Sequence, residues 1–215
     1  MTYDWTAAMA RKSNRQTAMR TRIAAAAARI MAEDGVDDFA LAKRKAARQL
    51  GAANTEALPR NEEIEAELQA YRALYQPDEH AARIAELRRV ALDAMQALAR
   101  FNPYLTGPVL KGIAGPYADI ELQLFPDSAK DLEIFLIDSG VPFTTQEARR
   151  YSGDRAHAAS LVRLDWHGVR LRIAVFDARD ERLALKTSQA GRVIERAGIS
   201  EVSALIGVDR ASKRR

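Results

Sequence analysis

The sequence predicts an α+β protein in two parts: a helical region over residues 1–77, then residues 78–215, where helices flank a small sheet. Three observations carry this expectation. Apolar residues up to Phe101 recur at spacings of three and four, and after Asn102-Pro103 they alternate with polar ones. Gly and Pro mark most of the joints between the periodic stretches.

From about Thr21 to Gly35, Ile23, Ala27, Ile30 and Met31 line one face of a helix, with Arg20, Arg22 and Arg29 on the rest of its surface. The alanine run over 24–28 favours the same state. Phe39 to Leu50 is a second, strongly basic helix closed by Gly51. AANTEALP is then a loop whose Pro59 opens the acidic helix NEEIEAELQAYRALY, which Pro77 ends. Asp78 caps a long helix that runs to about Phe101, with Ile84, Leu87, Ala91, Met95 and Leu98 as its buried stripe. Tyr104-Leu105-Thr106 is a short strand entering a Gly-Pro turn, and Asp119 to Phe125 is a strand with one polar face. A helix lies between Asp127 and Ser139, stopped by Gly140, and Pro142 to Arg149 forms a strand. Residues 160–166 (SLVRLDW) and 169–176 (VRLRIAVF) are two strands of a hairpin turned by His167-Gly168, and Ser200 to Ile206 is a closing helix.

The chain has 215 residues, 33 Lys plus Arg, 29 Asp plus Glu and no Cys. Without cysteine it has no disulfide scaffold, zinc–thiolate site, iron–sulfur cluster or cysteine nucleophile to offer. No apolar run approaches the roughly 20 residues of a membrane helix, and the start lacks a charged-then-apolar leader, so a cytoplasmic protein with no membrane partner is the expectation. Residues 1–60 hold eleven Lys/Arg against six Asp/Glu, and the chain ends Lys213-Arg214-Arg215. An anionic partner would meet these basic segments, and a weak nucleic-acid contact through the N-terminal helices is one form of it; a solvated helix face is the plainer reading.

The chemistry is concentrated in LTGPVLKGIAGPYADIELQL, residues 105–124. A strand delivers the chain into a glycine-containing bend, and the next strand presents Asp119 and Glu121, which alternation places on one face. Neighbouring carboxylates repel unless a cation lies between them, and Mg²⁺ favours a pair of carboxylates together with phosphate oxygens. Gly107 and Gly112 allow close approach of backbone N–H groups to a phosphate, with Lys111 as a nearby positive charge.

This segment resembles the signature of the polymerase-beta-like nucleotidyltransferase superfamily in its small bacterial form, Gly-Ser-x-x-x-Gly, five further residues, then Ser-Asp-x-Asp. The glycines fall at Gly107 and Gly112, the basic loop position at Lys111 and the two acids at Asp119 and Glu121. The likeness covers about residues 80–180 and implies a nucleotidyltransferase-like domain over 78–215 with a small mixed sheet. It further implies transfer of a nucleotidyl group from a nucleoside triphosphate to a hydroxyl on a protein, nucleic acid or small molecule. Asp119 and Glu121 would be catalytic and would hold Mg²⁺ or Mn²⁺, while Thr106, Gly107, Lys111 and Gly112 would contact the nucleotide.

The match has four departures. Pro108 and Ala118 stand where the family has serines, Glu121 is one methylene longer than the family's Asp, and the third carboxylate of the hairpin is replaced by Arg170 or Arg172. Asp165, or else Asp177, would have to stand in for that third ligand. Arginines beside the acids would compete with metal for them, so the alternative is a catalytically degenerate fold acting as a nucleotide-binding or regulatory module, with Arg170 or Arg172 paired to Asp119 or Glu121.

RTRIAAAAARIMAEDG followed by ALAKRKAARQLG is similar to the opening of Tet-repressor-like DNA-binding domains. A recognition helix should follow, but AANTEALPRNEEIEAEL offers a proline and acids that phosphates repel. His80, His157 and His167 have no metal spacing and read as surface residues, with His157 in a charged loop. Tyr71 and Tyr75 read as a packing pair and Trp166 as an anchor beneath the hairpin.

Overall fold

A computed structural model describes residues 5–36, 38–53, 55–75, 77–187 and 191–212. The chain divides into two compact units, residues 1–80 with 115–117, and residues 81–114 with 118–215. The expected divide was at 77/78. The return of 115–117 to the first unit has no periodic signal in the sequence.

The first unit is helical: α1 (Trp5–Glu33), α2 (Phe39–Gln49) and α3 (Asn61–Tyr75), with α4 (Pro77–Ala97) beginning in it. Helix α1 starts well before Thr21, because nothing in the polar stretch ahead of it breaks a helix. Asp38 caps α2 by accepting from the backbone N–H groups of Ala40 and Leu41 at 2.7 and 3.1 Å. Small residues let the helices approach: Ala24, Ala27 and Ala28 of α1 and Ala42, Ala46 and Ala47 of α2 are buried, with Ile23, Ile64 and Leu68 filling the space between. Much of the basic surplus is spent internally. Arg20 and Arg60 reach Glu63, Arg29 reaches Glu33, and Lys45 reaches Asp34. After α2 the described residues up to Arg60 hold no helix, and the next helix is acidic. No recognition helix of the kind found in Tet-repressor-like domains follows α2 among the described residues, in keeping with the proline and the acids of this stretch.

The second unit is a six-stranded mixed sheet with helices, so the α+β class and the small mixed sheet are both present. Its strands are β1 (Tyr104–Thr106), β2 (Ile120–Leu124), β3 (Phe143–Ser152), β4 (Arg155–Trp166), β5 (Val169–Val175) and β6 (Arg196–Ala197), in the order β3-β4-β5-β2-β1-β6. Only β2 and β5 pair in parallel; the other pairs are antiparallel. The remaining helices are α5 (Gly107–Lys111), α6 (Ala129–Asp138) and α7 (Ile199–Ser212). The Gly-Pro turn expected after β1 is instead the start of the one-turn helix α5, with Pro in its first turn, where a missing N–H costs no hydrogen bond.

Alternation sorts the sheet into two faces. One carries Leu105, Ile120, Leu122, Leu124, Val162, Leu164, Leu171, Ile173 and Val175, all buried against α4, α6 and α7 through Leu87, Met95, Leu132, Leu136 and Val202. The other carries Thr106, Asp119, Glu121 and Gln123 beside Arg170, Arg172, Arg163 and Asp165. At the far end of this second face Phe125, Ala159, Ala174, Phe176 and Leu185 make a smaller apolar cluster. His167 and Gly168 turn the β4–β5 hairpin with φ of 51° and 79°, as a two-residue loop of this kind requires. No helix among the described residues is long and apolar enough to cross a membrane.

Leu122 lies in a central strand and is 1% exposed, so Leu122→Ala is expected to cost about 2–5 kcal/mol in chemical denaturation.

Candidate functional site

The bend and the acid-bearing strand meet, with Gly107 against Glu121, and the charges around the acids differ from those of a metal site. Antiparallel pairing sets Thr106 opposite Glu121, and the chain leaves β1 through Gly107 at φ +69°. A Cβ on Gly107 would stand 2.7 Å from the Glu121 carboxylate carbon, so that carboxylate is seated directly on the glycine. The bend itself is fixed from behind. Arg88 of α4, 8% exposed, donates to the carbonyls of Val109 and Leu110 at 3.3 and 2.8 Å, which satisfies the end of α5. Gly112 closes α5 in the left-handed conformation.

The acids project from one face, and the neighbouring parallel strand answers each with an arginine. Arg172 Nη2 donates to Glu121 Oε1 at 2.5 Å. Arg170 Nε lies 3.0 Å from Asp119 Oδ1. That oxygen is closed to solvent and has no hydrogen aimed at it, so the second contact is an ion pair without a formed hydrogen bond. The register explains both pairings, because β5 places Arg172 beside Glu121 and, one row further, Arg170 beside Asp119.

The other expected ligands are used differently. Thr106 is 3% exposed, and its hydroxyl donates to the Glu121 carbonyl at 3.3 Å, which ties β1 to β2. Lys111 ends α5 and is part-buried. Asp165 lies across from Arg170 on β4, so that arginine stands between it and Asp119, and its Oδ1 accepts from Gly168 N at 2.8 Å in the hairpin turn. Asp177 caps a short 3-10 turn and is gripped by Arg179, whose Nε and Nη2 approach its two oxygens at 3.0 and 2.9 Å. Among the described residues no three His, Asp or Glu side chains gather as a metal would need. The residues present thus do not fit a divalent ion: each of the two acids already has its cation, and the third acid is directed elsewhere.

His157 lies within β4, not in a loop, and its Nδ1 is 2.9 Å from Asp180 Oδ1. The Tyr71 and Tyr75 rings meet with centroids 4.6 Å apart, tilted by 37°. Trp166 packs on the core and donates from Nε1 to Asp93 at 2.8 Å. Further along the charged face a cavity of about 320 Å³ opens, lined by Gln123, Leu183, Val193 and Arg196 among others.

Two site residues escaped sequence reasoning. Arg88 occupies an i+4 position from Ile84 beside the apolar stripe of α4, a place where a charged residue signals a buried hydrogen-bonding task. Arg150 of β3 shares the face of Arg172, and its neighbours TTQEARRYS lack the alternation that would have marked which way it points. The chain matches no family model and no curated protein.

Two measurements check this geometry. Gly107→Ala is expected to cost about 1–2 kcal/mol for its left-handed backbone and to push Glu121 away from Arg172, read as lowered stability in urea. The hydrogen bonds from the Arg179 side chain and backbone N–H lower the Asp177 carboxyl to about 2. Its contribution to stability is therefore full above the ordinary carboxylate value and is lost as pH falls toward 2. A carboxyl NMR titration should place the Asp177 midpoint near 2, and Arg179→Ala should return it to the usual range.

Proposed function

We propose that the second unit is a nucleotidyltransferase-like domain in which arginines, rather than a divalent metal, neutralise the acid pair, and that the chain acts as a nucleotide-binding or regulatory module. One observation carries this reading: Arg170 and Arg172 stand against Asp119 and Glu121 from the adjacent strand. Freeing both carboxylates for a metal would require two guanidinium groups to leave and would then set two more positive charges beside the incoming ion. The likeness is supported by the order helix, strand, glycine bend, acid-bearing strand, helix and hairpin, and by the contact of the bend with the second acid. The nucleotide would be held through its phosphates by the arginine-bearing face, since a planar guanidinium matches two phosphate oxygens at once.

A second reading is metal-dependent transfer of a nucleotidyl group from a nucleoside triphosphate to a hydroxyl acceptor, with Asp119 and Glu121 holding Mg²⁺ or Mn²⁺. What favours it is that both acids share one face beside the bend. Its difficulty is the third carboxylate, because Asp165 is separated from Asp119 by Arg170.

Calorimetry with ATP and GTP distinguishes the two. Binding is expected to persist in EDTA, to be unaffected by Mg²⁺, and to survive Asp119→Asn. Binding that disappears in EDTA, or incorporation of labelled nucleotide into an acceptor with Mg²⁺ or Mn²⁺ present, overturns the proposal in favour of the transferase.

A further inference from the structure

Strand β3 is an edge of the sheet, and it is 10 residues long. It pairs with β4 without a break, from Phe143 opposite Leu164 to Ser152 opposite Arg155, and it holds neither Gly nor Pro. An edge of this length with no bulge presents a row of backbone groups to any extended segment that comes alongside.

The C-terminal end of the strand shows which residues present them. Tyr151 N donates to the Lys186 carbonyl at 2.9 Å, and the Tyr151 carbonyl accepts from Lys186 N at 2.7 Å. Both backbone groups of Tyr151 are thus turned away from β4, and alternation turns those of Phe143, Thr145, Glu147 and Arg149 the same way. Among the described residues these groups meet no other backbone. The Arg149 carbonyl accepts from Arg150 Nη1 at 3.0 Å and keeps a second lone pair. Thr145, Glu147 and Arg149 are exposed, and Phe143 is part-buried. The open edge therefore runs from Phe143 to Arg149 and is stopped at Tyr151 by Lys186.

The side chains along this edge suit a second copy of it. When two copies run antiparallel about a two-fold axis at Gln146, every open position is used: Phe143 faces Arg149 of the second copy, and Thr145 faces its Glu147. A guanidinium then lies beside an aromatic ring and a hydroxyl beside a carboxylate, and no charge faces its like. An axis at Glu147 sets that carboxylate against its own copy and needs Tyr151, which Lys186 already holds. An axis at Ala148 needs Tyr151 as well, and one at Thr145 leaves Arg149 opposite Val141, which precedes the strand.

We propose that β3 is a self-association surface, on which a second copy of this chain adds its own β3 antiparallel about a two-fold axis at Gln146 and makes the two sheets continuous. The interface is isologous, the same strand on both sides. Backbone hydrogen bonds supply the attraction, and Glu147 and the Lys186 stop select the register. This pairing goes beyond the nucleotide reading and does not depend on it.

Size-exclusion chromatography with light scattering on the full chain tests the association, and because the chain has no Cys a single introduced thiol reports the register. Wild type at high micromolar concentration is expected at twice the mass of one chain, dissociating on dilution. Thr145→Pro removes an outward N–H and leaves the ladder to β4 intact, so the mass is expected to halve with the far-UV circular dichroism unchanged. Under mild oxidation Gln146→Cys is expected to give a disulfide-linked dimer, since Gln146 meets its own copy in a pair without mutual hydrogen bonds, where Cα atoms lie about 4.5 Å apart. Thr144→Cys, which faces Ala148 of the second copy, is expected to stay unlinked. A wild-type monomer at every concentration, or a folded Thr145→Pro variant that remains a dimer, overturns the proposal. Should Thr145→Pro fail to fold, the thiols decide: linkage at Gln146→Cys in preference to Thr144→Cys supports the pairing, and equal linkage or none overturns it.

Discussion

The Glu121 carboxylate is confined from two directions, and most of what is distinctive about this protein follows from that confinement. Gly107 stands directly beneath it, where any side chain would collide with it, and Arg172 closes over it from the next strand. The contact requires a left-handed residue at the exit of β1, β2 alongside β1 in the observed register, and β5 beside β2. Thr106 and Arg88 secure the same arrangement from the sheet side and the helix side, through the Glu121 carbonyl and the end of α5. Bend, strand pair and arginine form a single mechanical unit.

Magnitudes separate what holds the fold from what sets its chemistry. The Arg170 side chain is 68% exposed and Asp119 30%, while Arg172 and Glu121 are 41% and 28% exposed. Ion pairs this open to water contribute about 0–1 kcal/mol each. A single fully buried leucine of the opposite face contributes about 1.5–3 kcal/mol, and that face has many such residues. The arginines are therefore minor contributors to stability. Their effect is electrostatic: they neutralise a pair of acids that would otherwise attract cations.

Most of the architecture was legible because local pattern and tertiary role agree. The period change at Asn102-Pro103, the stripe of α4, the Ser128-capped helix α6 and the His167-Gly168 turn each express in sequence what the structure uses. Illegible parts share a physical cause. Strand β3 was expected to Arg149, but its last residues and the start of β4 are largely exposed, so no apolar alternation records them, and β6 is two residues long. Parallel pairing of β2 with β5 leaves no local trace, yet it alone decides that Arg170 and Arg172 meet the acids. The pairing of those arginines with the acids was foreseen only as the alternative that the family resemblance implied, because they stand where it has a third carboxylate; the orientations of Arg88 and Arg150 were not, because each depends on which distant backbone or charge lies opposite.

The partners of the central ion pair are 51 residues apart in the chain, and α6 and the β3–β4 hairpin lie between them. During synthesis Asp119 and Glu121 leave the ribosome well before Arg170 and Arg172, so for a time the emerging chain carries the acid pair without the arginines that later face it. Strand β1 carries no charged residue, so those charges do not hinder its pairing with β2; they repel each other until the hairpin arrives. Docking of β5 then finishes the buried sheet and cancels the repulsion in one event, so a product cut anywhere before β5 loses both together.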